Sequence, residues 1–364
     1  MLEKTKDGEF PRINRGYNSV FKPNRLSIGL VLPIEAYAIG AKPTMAQHIE
    51  TVQLAEVLGY SALWLRDVPF DVPSFGDVGQ MFDPFVYLGT LAASTNGIAL
   101  GTASIILPLR HPAHVAKAIR DDTILVSIMH SNNEIGTIQP VADISKVCRS
   151  NGVLFHTDAA QAVGKIQIEL SNSNIDLLSI SGHKMYGPKG IGALFVSNNL
   201  DFPLVPLFHG GGQQGGQRSG TLSPALCVGL GEAANLASSS ISEENFRISN
   251  LKNRLLAGLK EQIDTLWVNG GSETLPNIIS VGFSDIDASN LLSLMQTKLA
   301  ASTGSACNSG LIEPSYALVS IGLNHLEASS VVRFSIGRMT TEDEIDTAIS
   351  IISETYKRAI SLAA

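Results

Sequence analysis

The sequence predicts an α/β protein that ends in a smaller α+β region. Three observations carry this reading. Strand-length apolar runs alternate with segments of helical spacing from Leu26 to Val196, the order expected of strands that pack in parallel with helices between them. Runs in the middle of the chain are apolar throughout rather than alternating, which suits strands covered on both faces. After about residue 242 the texture shifts to one long amphipathic helix followed by short strands and further helices.

Taken in order, residues 1–25 read as a loose polar leader. Leu26–Pro33 (LSIGLVLP) is an apolar run of strand length. Thr44–Leu58 carries apolar residues at helical spacing, with Thr44 at a possible N-cap. Ser61–Leu65 is a second short strand, Pro84–Ser94 a helix, Ile98–Leu107 a third strand, and His111–Ala118 opens a further helix. From about Ile119 the strands are Thr123–Met129, Val153–Thr157, Ile175–Ile180 and Ile191–Val196, with the helix Val141–Ser150 between the first two. Ser242–Ile263, rich in Glu, Lys and Leu, is the long amphipathic helix. Asn277–Phe283 and Val331–Ile336 are strands of the last region, and Glu342–Ile360 is its final helix.

Composition narrows the function classes. A chain of 364 residues is long enough for roughly two domains. Its net charge of −7, without basic blocks, argues against nucleic-acid binding through a phosphate-neutralising surface. No apolar run reaches the roughly 18–20 residues of a membrane helix, and the leader has no apolar core of a secretory signal. Three cysteines, Cys148, Cys227 and Cys307, are too few and too scattered for a disulfide framework or a zinc site. The expected location is the cytoplasm, and no metal is expected.

Chemistry concentrates at strand ends. Ser181-Gly182-His183-Lys184 follows the strand Ile175–Ile180. A lysine at the end of a buried strand, framed by glycines, suits a Schiff base, because desolvation would make its amine nucleophilic. Asp158, in His156-Thr157-Asp158-Ala159-Ala160-Gln161, closes the preceding strand, where a carboxylate can keep a pyridine nitrogen protonated. Gln161 can hydrogen-bond a ring hydroxyl. Open α/β sheets bind ligands at this edge. Cys307 lies in a Ser/Thr/Gly/Asn-rich segment that reads as a loop, the setting in which a thiol reacts; Cys148 and Cys227 lie in helical segments and read as structural.

Seven stretches in order, SIMHSNNEIG (Ser127–Gly136), HTDAAQAVGK (His156–Lys165), SGHKMYGPKGIGALFV (Ser181–Val196), GGGQQGGQRSGT (Gly210–Thr221), TGSACNSG (Thr303–Gly310), EPSYAL (Glu313–Leu318) and RFSIGR (Arg333–Arg338), resemble the cysteine desulfurases. These are fold-type I enzymes of the class V aminotransferase family that use pyridoxal phosphate (PLP) to take sulfur from L-cysteine. The resemblance covers about residues 119–364. It implies that Lys184 carries the cofactor, that Asp158 pairs with the pyridinium nitrogen and that Gln161 contacts the ring oxygen. Ser181 and His183 would hold the phosphate, while Thr221 would reach the cofactor of a partner subunit, making a homodimer. Asn133 and Arg333 would bind the substrate carboxylate. Cys307 would attack the cysteine sulfur, take it as a persulfide, release alanine and hand the sulfur to an acceptor protein. Iron–sulfur cluster assembly, tRNA thiolation and DNA phosphorothioation are all compatible acceptor pathways, and selenocysteine is a compatible substrate.

The first third resembles a different family. Ala55–Pro69, Phe75–Pro84 and Leu100–Pro112 are similar to the luciferase-like monooxygenases, which bind a flavin or deazaflavin in a TIM barrel. About three of eight strand–helix units are present, too few to close a barrel. The expected architecture is therefore a fusion. Residues 1–118 form a luciferase-like βα fragment, 119–238 part of a PLP-binding large domain lacking its N-terminal portion, and 239–364 a small C-terminal domain carrying the Cys307 loop. The missing portion would have supplied a phosphate-binding turn and a histidine that stacks on the cofactor ring, so impaired desulfurase activity is expected. It also leaves a sheet edge uncovered unless the N-terminal strands pair with it. The competing expectations are a flavin- or deazaflavin-dependent oxidoreductase with a foreign tail, and a non-catalytic fusion product.

Overall fold

The computed structural model describes residues 27–32, 47–66, 71–72, 77–78, 84–104, 115–117, 119, 123–171, 173–200, 204–303 and 315–363. The N-terminal part holds β1 (Gly29–Leu32), α1 (His48–Val57), β2 (Ala62–Arg66), the two-residue strands β3 (Asp71–Val72) and β4 (Asp77–Val78), α2 (Pro84–Ser94) and β5 (Ala99–Ser104). Strands β1, β2 and β5 pair in parallel in that order, as the alternation of strands and helices predicts. Leu32, Val52, Leu63, Leu65, Tyr87 and Leu91 form a core between sheet and helices. The carboxylate of Glu56 on α1 accepts the backbone N–H groups of Asn96 and Ile98, each at 2.9 Å, and that of Gly97, which ties α1 to the turn before β5. The Trp64 indole lies across the sheet. A Cβ on Gly29 would stand 2.6 Å from its nitrogen, and one on Gly101 2.8 Å from its six-membered ring, so only glycine fits beneath it. Thr44, expected as an N-cap, lies outside the described residues; α1 begins at His48, after Gln47 in a left-handed conformation.

The middle part holds β6 (Leu125–Met129), α3 (Val141–Ser150), β7 (Leu154–Asp158), β8 (Leu177–Ser181), a 3-10 turn (Gly182–Met185) and β9 (Gly192–Val196). The sheet order is β6-β7-β8-β9. Its first three strands are parallel, but β9 runs antiparallel to β8. That corrects the all-parallel expectation. A parallel return needs a crossover of a dozen or more residues, and the short turn after β8 brings the chain straight back. A second correction concerns coverage. Ile128, Phe155 and Leu178 pack with Ile144 and Cys148 of α3 on one face, yet Leu125, Met129 and Leu194 are exposed on β6 and β9. The sheet is covered on one face and open on parts of the other. Among the described residues, β1, β2 and β5 form their own sheet and do not pair with β6, whose outer edge stays free.

The C-terminal part holds α4 (Pro224–Gln262), β10 (Leu266–Asn269), β11 (Ile278–Phe283), α5 (Ala288–Met295), α6 (Tyr316–Ser320), α7 (His325–Ser329), β12 (Val331–Ser335) and α8 (Glu342–Ala363). Strands β10, β11 and β12 form an antiparallel sheet with β11 at its centre, every residue of which is buried. Leu251, Leu255 and Leu259 of α4 and Ile352 of α8 pack on Val281, Phe283 and Val332 of this sheet. Helix α4 is 39 residues long and begins at Pro224, well before the expected start at Ser242. Its first half is small and weakly patterned, and there Gly229 packs against the ring of Pro188 in the turn after β8. Trp267 of β10 lies so close over Gly282 of β11 that a Cβ there would collide with its ring.

Candidate functional site

Five of the residues singled out by the sequence sit beyond the C-terminal ends of neighbouring parallel strands. Met129, Asp158 and Ser179 are successive register partners across β6, β7 and β8. Asp158 therefore closes β7, Ser181 closes β8, and His183 and Lys184 follow in the 3-10 turn. Gln161 lies in the turn just past Asp158 and is half-buried. Asp158 accepts the backbone N–H of Ala160 at 2.9 Å, which folds that turn back over the strand end. The Ser181 hydroxyl and His183 Nδ1 are 3.1 Å apart, a joined donor pair able to receive an anion. A carboxylate, an amide, a hydroxyl, an imidazole and an amine at one sheet edge form a donor set that fits a phosphorylated pyridine aldehyde. Lys184 is exposed, which corrects the burial expected of it. Thr221 is also exposed, just ahead of α4.

A second group joins the middle and C-terminal parts. Backbone hydrogen bonds from His130 to the Asp158 carbonyl (2.7 Å) and from Leu275 to the Gly136 carbonyl (2.8 Å) clasp the loop 130–136 between β7 and the C-terminal part. The Asn132 side chain accepts the N–H groups of Glu134 and Ile135, at 2.8 and 3.0 Å, and closes the turn from within. This presents the Asn133 carbonyl to Arg333 on β12, whose Nη1 donates to it at 2.9 Å. The two residues expected at the substrate carboxylate are thus in direct contact. Arg333 also exchanges backbone hydrogen bonds with Ser302, at 2.7 and 3.2 Å. Cys307 lies outside the described residues, in the stretch that begins just after Thr303.

Burial sorts the other titratable groups. It pushes the Cys148 thiol up to about 12, with Asp176 adding to the effect, so this cysteine is a packing residue as expected. His156 bridges three strands: its Nδ1 meets the Ser127 hydroxyl at 2.7 Å and its Nε2 the Ser179 hydroxyl at 2.8 Å. Desolvation lowers its pKa from the ordinary 6.5, against the pull of Asp158. His130 is lowered for the same reason. A histidine held neutral by the fold contributes stability above its unfolded pKa that is lost as pH falls below 6.5. Melting temperature is therefore expected to drop between about pH 7.5 and pH 5.5. His156→Gln, which keeps a hydrogen-bonding side chain without a titrating proton, should shrink that drop without abolishing it, because His130 remains. A thermal melt of both proteins at the two pH values checks this; an unchanged drop would count against it.

Several polar residues given no role by the sequence also surround the turn after Lys184. Tyr186, in a left-handed conformation at φ 66°, has the Lys165 ammonium 4.1 Å and the Arg338 guanidinium carbon 4.7 Å from its ring centroid. Its hydroxyl accepts the Arg338 N–H at 2.8 Å. Arg338 Nε donates to Glu244 of α4 at 2.7 Å, and Arg247 donates to the carbonyls of Arg338 (2.5 Å) and Thr340 (2.6 Å). Glu134 is buried beside Arg333 and accepts the Ser315 hydroxyl. Its signals in the sequence are a charge inside a mostly uncharged loop and its place in the stretch Ser127–Gly136.

Comparison with known proteins finds relatives of two families. The family profile described as Luciferase-like monooxygenase matches residues 26–120. Cysteine desulfurase IscS of Salmonella schwarzengrund is 47% identical over 247 residues, 68% of this chain and 61% of that protein. The IscS of a Shewanella species is 48% identical over 257 residues, 70% of this chain and 62% of its own length. The chain thus spans less than two thirds of the curated relatives it matches. Among solved structures, a NifS-like protein superposes with a TM-score of 0.65 at 27% identity, covering 85% of this chain and 80% of that one. DndA of Streptomyces lividans superposes at 0.56 with 32% identity, over 78% and 76%. SspA, solved in complex with cysteine, gives the same score and identity over 80% and 78%. The profile described as Aminotransferase class-V spans residues 108–347, two thirds of the molecule, and takes in the strand-end residues and the Arg333 contact alike, so the chain belongs to the class-V aminotransferase family, whose cofactor is PLP.

Proposed function

We propose that this protein is a PLP-dependent cysteine desulfurase of impaired activity, in which L-cysteine gives its sulfur to Cys307 and leaves as L-alanine. The observation that carries the reading is the convergence of Asp158, Ser181, His183 and Lys184 at one sheet edge while Arg333 meets Asn133 across the part boundary. SspA, a structural relative, was solved with cysteine bound.

Bound PLP supplies an electron sink for the substrate's bonding electrons. The chain's own residues do the rest. Lys184 holds the cofactor through its amine and shuttles a proton at the substrate carbon. Asp158 keeps the ring nitrogen protonated, Gln161 donates to the ring oxygen, and Ser181 and His183 receive the phosphate. Arg333 grips the substrate carboxylate, aided by Asn133. The Cys307 thiolate attacks the substrate sulfur; the carbon–sulfur bond breaks, the carbon gains a proton, and a sulfur–sulfur bond forms on Cys307. An acceptor protein then takes the sulfur. Thr221 reaches the cofactor of a second copy in a homodimer, a reading supported by exposed Leu207, Phe208, Leu222 and Val228 around it in sequence. No described helix is long and apolar enough to cross a membrane, and a cytoplasmic location without nucleic-acid binding goes with this reading.

The division at residues 118 and 238 belongs to the same proposal, with the N-terminal part acting as a packing element, a reading supported by the core that Leu32, Val52, Leu63, Leu65 and Leu91 form among themselves. The impaired reading is supported, among the described residues, by the unpaired outer edge of β6 and by the exposure of Leu125 and Met129. The test is to purify the protein with PLP and add L-cysteine and a thiol reductant. Yellow absorbance, with alanine and sulfide released in equal amounts but more slowly than by a full-length desulfurase, is expected. No absorbance at any cofactor concentration would overturn the proposal, and full-rate turnover would overturn the impairment.

A further inference from the structure

Glu134 is only 3% exposed, and its surroundings are built around its carboxylate. The Asn132 side chain locks the turn that carries it. The Ser315 hydroxyl donates to it, and that same hydroxyl caps α6 by accepting the N–H of Ala317 at 3.1 Å. Arg333, bonded to the carbonyl of the preceding residue, attracts it and opposes the upward push that burial gives its pKa. Packing alone would need only an acceptor for Ser315, and a glutamine would supply one without the desolvation cost of a buried charge. A carboxylate at this position is accounted for by the cation beside it.

We propose that Glu134 is a positioning residue for Arg333: its carboxylate, held by Ser315, sets where the guanidinium rests and hence where a substrate carboxylate is received. The proposal rests on the reading of Arg333 as the carboxylate binder. It reaches further than that reading because Glu134 touches no substrate and acts through another side chain. It also ties the receiving position to Ser302 and Ser315, which flank the stretch that bears Cys307.

The test begins with cofactor-free protein and phenylglyoxal, which modifies arginine, with each arginine followed by peptide mass spectrometry. Glu134→Gln keeps an acceptor for Ser315 and removes only the charge. Modification of Arg333 should then run about fivefold faster, as expected when a neighbouring opposite charge is removed from a poorly solvated site, while exposed Arg149 is unaffected. Ser315→Ala, which leaves the carboxylate but releases its holder, should give a smaller increase and decides the matter if Glu134→Gln does not fold. An unchanged Arg333 rate in either folded variant, or an equal rise at Arg149, would overturn the proposal. With PLP present, the dissociation constant of L-alanine, read from the cofactor's absorbance, should weaken about tenfold in Glu134→Gln. That of ethylamine, which lacks the carboxylate, should not move; equal weakening of both would also overturn it. If the wild-type protein takes up no PLP, the desulfurase reading fails by itself while the Arg333 rates still decide the role of Glu134.

Discussion

Lys184→Ala is expected to leave a folded protein that no longer retains PLP absorbance through desalting and whose release of alanine and sulfide falls by at least about a thousandfold, the scale of losing both a covalent anchor and a proton carrier. The structure separates this loss from unfolding. Lys184 is exposed, while its neighbours Gly182 and Met185 make the buried contacts of the turn. Gly182 cannot change, because a Cβ there would stand 2.9 Å from the Ile191 carbonyl. The lysine can. Cys307→Ala is the companion experiment. It should keep the absorbance and lose sulfide release, since the thiol acts on the substrate's sulfur and not on the cofactor. Loss of absorbance in both variants would refute this division of labour.

The second large effect is expected at Arg338. Its ion pair with Glu244 joins the end of β12 to α4, with side-chain exposures of 26% and 9%, so both charges are substantially withdrawn from water. Arg338→Ala strands the buried Glu244 carboxylate and should cost about 3 kcal/mol of stability. It also removes the guanidinium from Tyr186, two residues past Lys184. Replacing both partners with apolar residues, Arg338→Met with Glu244→Leu, should recover most of that stability, because the pair's attraction does little more than offset its desolvation. Chemical denaturation of the single and double variants checks both statements. A single variant as stable as the wild type would show that water reaches the carboxylate.

Much of this is legible in the sequence alone. Helices Pro84–Ser94 and Val141–Ser150 begin and end where the sequence places them, and the strands of the middle part shift by no more than two residues. Period and run length are local properties, and those segments obey them. What was not legible depends on partners distant in sequence. The direction of β9 is set by the length of the turn before it, not by its own apolar run. The first half of α4 reads poorly because Gly229 and its small neighbours answer to Pro188 and the strand turn rather than to a helical stripe. The exposure of Lys184 and of Leu125 depends on which distant segments pack over a strand end, which no residue nearby encodes. The role of Glu134 is not legible locally because it lies with Ser315 and Arg333, about 180 and 200 positions away.

The two tryptophans, each laid flat on glycine, turn out to be optical probes. Trp64 stands over Gly29 and Gly101 in the N-terminal sheet and Trp267 over Gly282 in the C-terminal one, and the chain has no other indole. Emission from a variant retaining only one of them reports the solvent environment of a single part. The order in which the halves of this hybrid come apart can thus be followed by light, without separating them.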